Sequence, residues 1–146
     1  MVHQNQALND LLIDLCRSLL QYTADAWPWT ADDEQQARRT IDQIVARQQV
    51  YIAELADMLM SRGWNVAFGM FPAEYTDLHY VALEYLLHLL VENQTALLAK
   101  IEKALEAVRG DQQASELLAD LVTEQREIVS TLRQLLDSHP HPHVLV

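Results

Sequence analysis

Three glutamines stand on otherwise apolar helical seams of this chain: Gln48, Gln94 and Gln125. Each sits near the middle of its segment, so in a bundle they can share one level. An unpaired buried amide costs about 1–3 kcal/mol, so amides placed in a core must find partners. Together with the hydroxyls of Tyr51 and Tyr22 they form a candidate buried polar layer, which would fix the register of neighbouring helices. Two other readings stand beside it. One or more of the amides meets water at a seam edge, or the amides and tyrosines provide the polar contacts of a site for a small apolar ligand held between helices.

A second constellation is Glu84, His88 and Glu92, spaced by four, with Asp77 and His79 one to two turns earlier. A Glu/His pair at i, i+4 on one helix face can hold a divalent cation such as iron, manganese or zinc. The same spacing continues through Thr95, Lys103 and Glu106, which describes a solvent-facing stripe, and that reading is favoured. Glu124 and Glu127 are also read as exposed, since Gln125 and Ile128 take the seam. His139, His141 and His143 lie in a proline-broken tail and are read as a polar tail rather than a metal site. Cys16 sits among leucines and is read as a small core residue. No nucleophile set, Gly-rich phosphate loop or Gly-x-Ser-x-Gly elbow occurs, so no catalytic residue is assigned.

The elements that must position these groups are helices. Among 146 residues there are only three glycines and four prolines, and half are hydrophobic. That is the composition of one domain with few turns. The net charge of −11 disfavours nucleic acid and anionic membrane surfaces. A lone cysteine gives no disulfide, no leader is visible at the start, and no apolar run approaches the roughly 20 residues that span a bilayer. The expectation is a cytoplasmic protein.

The apolar periodicity predicts four helices. The first covers about 4–26, with Leu8, Leu12, Leu15, Leu19, Tyr22 and Ala26 on one stripe, and ends at Trp27-Pro28-Trp29. The second covers 31–62, capped by Thr30 and closed by Gly63. The third covers 72–109 with Pro72 as its first residue, and the fourth covers 111–138 with Asp111 as its cap. Residues 1–138 thus form the bundle, and 139–146 a mobile tail. A second connection of about nine residues reaches at most about 30 Å. That favours an antiparallel, up-down-up-down four-helix bundle, with a single long crossover, using 72–75 as linker, left open.

The start of the third helix is apolar nearly all round. Tyr80, Tyr85, Leu86 and Leu89 exceed what one seam needs, and an apolar surplus marks an interface. Homodimerisation through this region is the leading expectation, with a protein partner as a further one.

In helix number, helix length and mid-height polar placement, residues 8–136 resemble the ferritin-like superfamily. The resemblance implies a four-helix bundle with a di-iron centre held by a Glu from each of two helices and a Glu-x-x-His pair from each of the other two. This chain reads Gln48-x-x-Tyr51 and Gln125-x-x-Ile128 where the pairs would stand, and Gln94 for one single Glu. The first helix offers only Leu15, Cys16 and Leu19. The resemblance therefore implies the scaffold without the oxidase activity. The function expected is a non-catalytic, homodimeric interaction or structural module with no cofactor. The alternatives are a ferritin-like protein with an atypical divalent-metal site, and a binder of a small apolar ligand.

Overall fold

The computed structural model describes residues 2–25, 34–80 and 82–138, without the side chains of Asp25, Asp77, His79 and Tyr80. The Trp27-Pro28-Trp29 stop, the Thr30 cap, the Tyr80 side chain and the 139–146 tail lie outside the described residues. The elements are α1 (Val2–Cys16), α2 (Leu19–Asp25), α3 (Gln35–Ser61), a 3₁₀ segment (Ala73–Tyr80), α4 (Leu83–Ala107) and α5 (Gln112–Asp137). No strand occurs among the described residues. The all-α bundle is as expected, with α1 and α2 together forming its first leg.

That first leg is broken where the periodicity predicts one continuous helix over 4–26. The break falls at Arg17 and Ser18. The backbone N–H of Leu19 donates to Asn93 Oδ1 of α4 at 3.0 Å, and the helical ladder resumes when Tyr22 N donates to Ser18 O at 3.1 Å. Ser18 suits such a break, since its hydroxyl accepts from the backbone N–H of Gln21 at 3.4 Å, in the first turn of the restarted helix. The interruption shifts the helical phase of α2 relative to α1, so that Leu20, Gln21 and Thr23 are all buried.

The helix ends obey known capping chemistry. Trp64 N donates to Leu59 O and Gly63 N to Met60 O, each at 3.0 Å, with Gly63 at φ +73°. This pairing is the Schellman closure, and it needs a residue that tolerates the left-handed region. At α5, Asp111 accepts from Ala114 N at 3.2 Å, satisfying one of the orphan amides of the first turn.

The third helix begins at Leu83 rather than Pro72, which lengthens the second connection from about nine residues to about twenty. At roughly 3.3 Å per residue such a segment reaches well past the roughly 40 Å length of α3. The core shows that it uses this reach. One apolar cluster joins Leu8, Leu12 and Leu15 of α1, Leu55 and Leu59 near the end of α3, Leu97 and Ile101 late in α4, and Leu118 and Leu121 early in α5. The other joins Leu19 and Leu20 of α2, Ile41 and Ile44 early in α3, Leu83, Leu86, Leu87 and Leu90 early in α4, and Ile128 and Leu132 late in α5. Hence α3 and α4 run parallel, and the single-crossover connectivity replaces the up-down-up-down order that a short connection favours.

The crossover is fastened along its length. Asn9 Nδ2 donates to Ala67 O at 2.7 Å, and Asn9 Oδ1 accepts from Ala67 N at 3.0 Å and from the Trp64 indole N–H at 3.1 Å. Gly69, at φ +81°, lies against Ile13. Further on, Tyr22 packs edge-on against Phe71, with ring centroids 5.1 Å apart, and lies 5.4 Å from Tyr75. Tyr75 and Leu78 pack on the cluster that holds the start of α4. Part of the apolar surplus of the third helix is therefore covered by its own chain.

Candidate functional site

Between the two apolar clusters lies a layer of side-chain amides. Gln48, Gln94 and Gln125 have 0% exposure, and Gln21 of α2 is also buried. Gln48 Nε2 donates to Gln94 Oε1 and to Gln125 Oε1, each at 2.9 Å. Gln125 Nε2 donates to Gln94 Oε1 at 2.9 Å and to the Gln94 backbone oxygen at 3.0 Å. Gln21 Nε2 donates to Gln48 Oε1 at 2.9 Å, and Gln21 Oε1 accepts from Gln49 Nε2 at 3.1 Å. Gln94 Nε2 donates to Asn93 Oδ1 at 2.9 Å, which joins the layer to the Leu19 amide at the helix break.

The direction of each bond is fixed by the others. Turning the Gln48 amide over would set its oxygen against two carbonyl oxygens and its NH₂ against that of Gln21. Both N–H groups of Gln48 and of Gln125 are used, and the oxygens of Gln48, Gln94 and Gln125 each accept at least one bond. A polar network with its members satisfied is stable in a core where a partly satisfied one is not.

Charge is kept to the outside of this level. On α5, Glu124 and Glu127 both engage Arg47 of α3, the second at 2.7 Å. The two carboxylates raise the pKa of the Arg47 guanidinium, chiefly through the hydrogen bond to Glu124. Tyr51 is half-buried against the cluster around Leu55 and Leu59. Burial raises its hydroxyl pKa, and Glu124, Asp120 and Glu54 raise it further. Among the described residues no three His, Cys, Asp or Glu side chains come together to hold a metal ion.

No family model and no curated protein matches the sequence. Solved structures do match. A Dps protein from Vibrio cholerae O1, described as a member of a broad superfamily of ferritin-like diiron-carboxylate proteins, superposes with a TM-score of 0.75 at 22% identity, covering 91% of this chain and 88% of that one. The chain's fold is ferritin-like. A ferritin-like diiron-carboxylate protein from Bacillus anthracis str. Ames matches with a TM-score of 0.73 at 15% identity, over 91% of this chain and 94% of the other. Dps from Staphylococcus aureus matches with a TM-score of 0.67 at 14% identity, over 92% and 93%. The crossover agrees with this assignment, since ferritin-like bundles carry one such connection.

A ferritin-like bundle holds its irons at mid-height with carboxylates and histidines, whose charge offsets that of the metal. The donors present here do not fit such a centre. At this level α3 supplies Gln48 with Tyr51 three residues on, α4 supplies Gln94, α5 supplies Gln125 with Ile128, and the first leg supplies Gln21. All four amides are neutral, and their oxygens already accept hydrogen bonds from one another or from Gln49.

Gln21 and Asn93 are the members that sequence reasoning missed. The visible signal is Arg17-Ser18 between Leu15 and Leu19-Leu20, a mark of the break whose phase shift carries Gln21 inward and Tyr22 beneath the crossover. Glu84 and His88 are half-buried and Glu92 exposed along one face of α4, and they do not converge into a three-ligand set with other described residues. Among the expected interface residues, Leu86 is corrected: at 1% exposure it belongs to the core, because its face of α4 turns toward α2, α3 and α5. Leu89 is half-buried against the same cluster, and Tyr85 is 54% exposed. Among the described residues no helix is long and apolar enough to cross a membrane.

Proposed function

We propose that this chain is a non-catalytic ferritin-like module that associates with a second copy of itself. The observation that carries the first half is the amide layer: Gln48, Gln94 and Gln125 are fully buried and joined by hydrogen bonds at 2.9 Å. A layer of mutually satisfied neutral groups offers no base, no nucleophile and no charge to balance a cation. It specifies which helices meet and in what register, as buried polar layers do in coiled coils.

Self-association is supported by apolar side chains left in solvent. Phe68 is 48% exposed, Met70 84% and Phe71 37%, all within one stretch of the crossover, and Tyr85 lies exposed on α4. Clustered exposed apolar groups of this kind mark protein interfaces, and a contact between identical chains would be isologous. Sedimentation velocity from low to high micromolar concentration tests this reading. A dimer that dissociates in the Phe68→Ser, Met70→Ser double variant is the expected result. A monomer at every concentration would overturn it.

A further inference from the structure

At the break between α1 and α2 a cleft of about 200 Å³ opens between the first leg, the crossover and α4. Its walls are Asp14, Arg17 and Ser18 on one side, Pro72 and Tyr75 on the crossover, and Asn93, Ala96, Leu97 and Lys100 on α4. We infer that this cleft is a binding site for a small oxyanion, a carboxylate or phosphate group, held by Arg17 and Lys100 with Ser18, Tyr75 and Asn93 as neutral donors.

Many donors face the cleft, and few of them have acceptors. Arg17 makes no ion pair among the described residues, in a chain of net charge −11 where carboxylates outnumber cations twofold. Lys100 lies 3.5 Å from Asp14, which holds the ammonium at the rim and balances the one acid in the wall. Ser18 is 4% exposed. Its hydroxyl accepts from Gln21 N at 3.4 Å, and its own proton is free to be donated into the cleft. Asn93 Oδ1 is occupied by Leu19 N and Gln94 Nε2, while its Nδ2 makes one long bond of 3.4 Å to the Tyr75 hydroxyl. That hydroxyl is the acceptor in the bond, so its own proton is also left to be donated. Burial raises the Tyr75 hydroxyl pKa, against the Asn93 hydrogen bond and the nearby charge of Arg17, so the group keeps its proton at neutral pH.

The chemistry selects the ligand. A planar guanidinium presents paired N–H groups that match the oxygens of a carboxylate or a phosphate. A wall in which donors outnumber acceptors, part of it buried, stabilises negative charge, and its one carboxylate is already offset by Lys100. The volume admits a small molecule and no macromolecule. Through Asn93, occupancy would be felt at the edge of the amide layer.

The test is a ¹⁵N-NMR titration of the full chain at constant ionic strength, with inorganic phosphate in one arm and benzoate in the other. The expected result is saturable shifts at the Leu19 amide and the Asn93 side-chain amide, in at least one arm, weakened about tenfold or more by Arg17→Gln and by Lys100→Gln. The control Arg133→Gln, on the exposed side of α5, should leave the affinity unchanged. Which arm saturates tells the carboxylate from the phosphate. Absence of saturation in both arms overturns the proposal, and so does saturable binding that both cleft variants leave intact.

Discussion

Gln48 of α3 donates a hydrogen bond to Gln94 of α4 at 2.9 Å, and neither side chain has any exposure. The two helices run parallel, joined by a crossover that travels the length of the bundle, and the same Gln48 amide reaches Gln125 of α5. The centre of the bundle is therefore organised by neutral groups.

Gln48→Glu places a carboxylate where an NH₂ now faces two carbonyl oxygens. The expected cost at neutral pH is about 2–4 kcal/mol, from desolvating a charge and setting it against other oxygens. The folded-state pKa of this carboxyl should lie above its unfolded value of about 4.3. The deficit is then smallest in acid, where both states are protonated, and grows as pH rises past the unfolded value until the folded carboxyl also ionises. Urea unfolding between pH 4 and 8 checks this, and a deficit that shrinks with rising pH would contradict it.

Single leucine substitutions of Gln48, Gln94 and Gln125 should each cost about 1–3 kcal/mol, because each leaves the other two amides with unmet bonds. The triple leucine variant should cost less than the sum of the three, since no amide of the trio then remains to be satisfied. Denaturant midpoints of the four variants measure this directly. Strict additivity would mean that the trio does not act as a unit.

At the other end of the bundle, Arg62 clamps Asp111 through two hydrogen bonds, at 2.6 and 2.9 Å, and also reaches Asn5. Arg62 holds the Asp111 carboxyl below the usual carboxylate range, with burial opposing and the Ala114 amide assisting. A lowered folded pKa gives stability that is present above the unfolded value of about 3.9 and is lost as pH falls through the folded value. Asp111→Asn keeps a capping side chain but loses the ion pair. It should cost about 2–3 kcal/mol at pH 7 and should flatten the acid limb of the stability profile below about pH 4. Urea midpoints of both proteins from pH 2 to 7 check this, and parallel profiles would contradict it.

The crossover offers a comparison of two glycines. Both Gly63 and Gly69 have positive φ, but a Cβ on Gly63 meets nothing within 4 Å, whereas one on Gly69 would sit 2.7 Å from Ile13 Cγ2. Gly63→Ala should cost about 1 kcal/mol for the left-handed backbone, and Gly69→Ala about 2–3 kcal/mol because a packed side chain must also shift. Thermal unfolding of the pair distinguishes them.

Much of this architecture is legible in the chain. The periodicity of Leu55, Leu97 and Leu118 and their neighbours, the Gly63 closure and the Asp111 cap are local signals, and local chemistry wins at those positions. The glutamines stand out because an amide on an apolar stripe must have partners. The chain leaves the crossover open without deciding for it, because Pro72 is a sound first residue for a helix and only the tertiary contacts of Tyr75 and Leu78 show that the chain is still travelling there. Gln21 is hidden for a related reason. Its inward position depends on Asn93, 74 residues beyond Leu19 in the chain, capturing the Leu19 amide. Part of the apolar surplus at the start of α4 packs within the chain, as Leu86 and Leu89 do, while Tyr85 stays exposed, and a pattern of single helices does not separate the two.

The most direct test is metal loading. The untagged protein, incubated with ferrous iron, manganese or zinc and then desalted, is assayed for bound metal beside a Gln48→Leu, Gln125→Leu variant. Both proteins should retain the same small amount, less than about a tenth of an equivalent at the bundle centre, because a neutral amide layer does not offset the charge of a divalent ion. One or two equivalents of metal, lost when the two glutamines are replaced, would contradict a bundle centre built only to hold its helices in register.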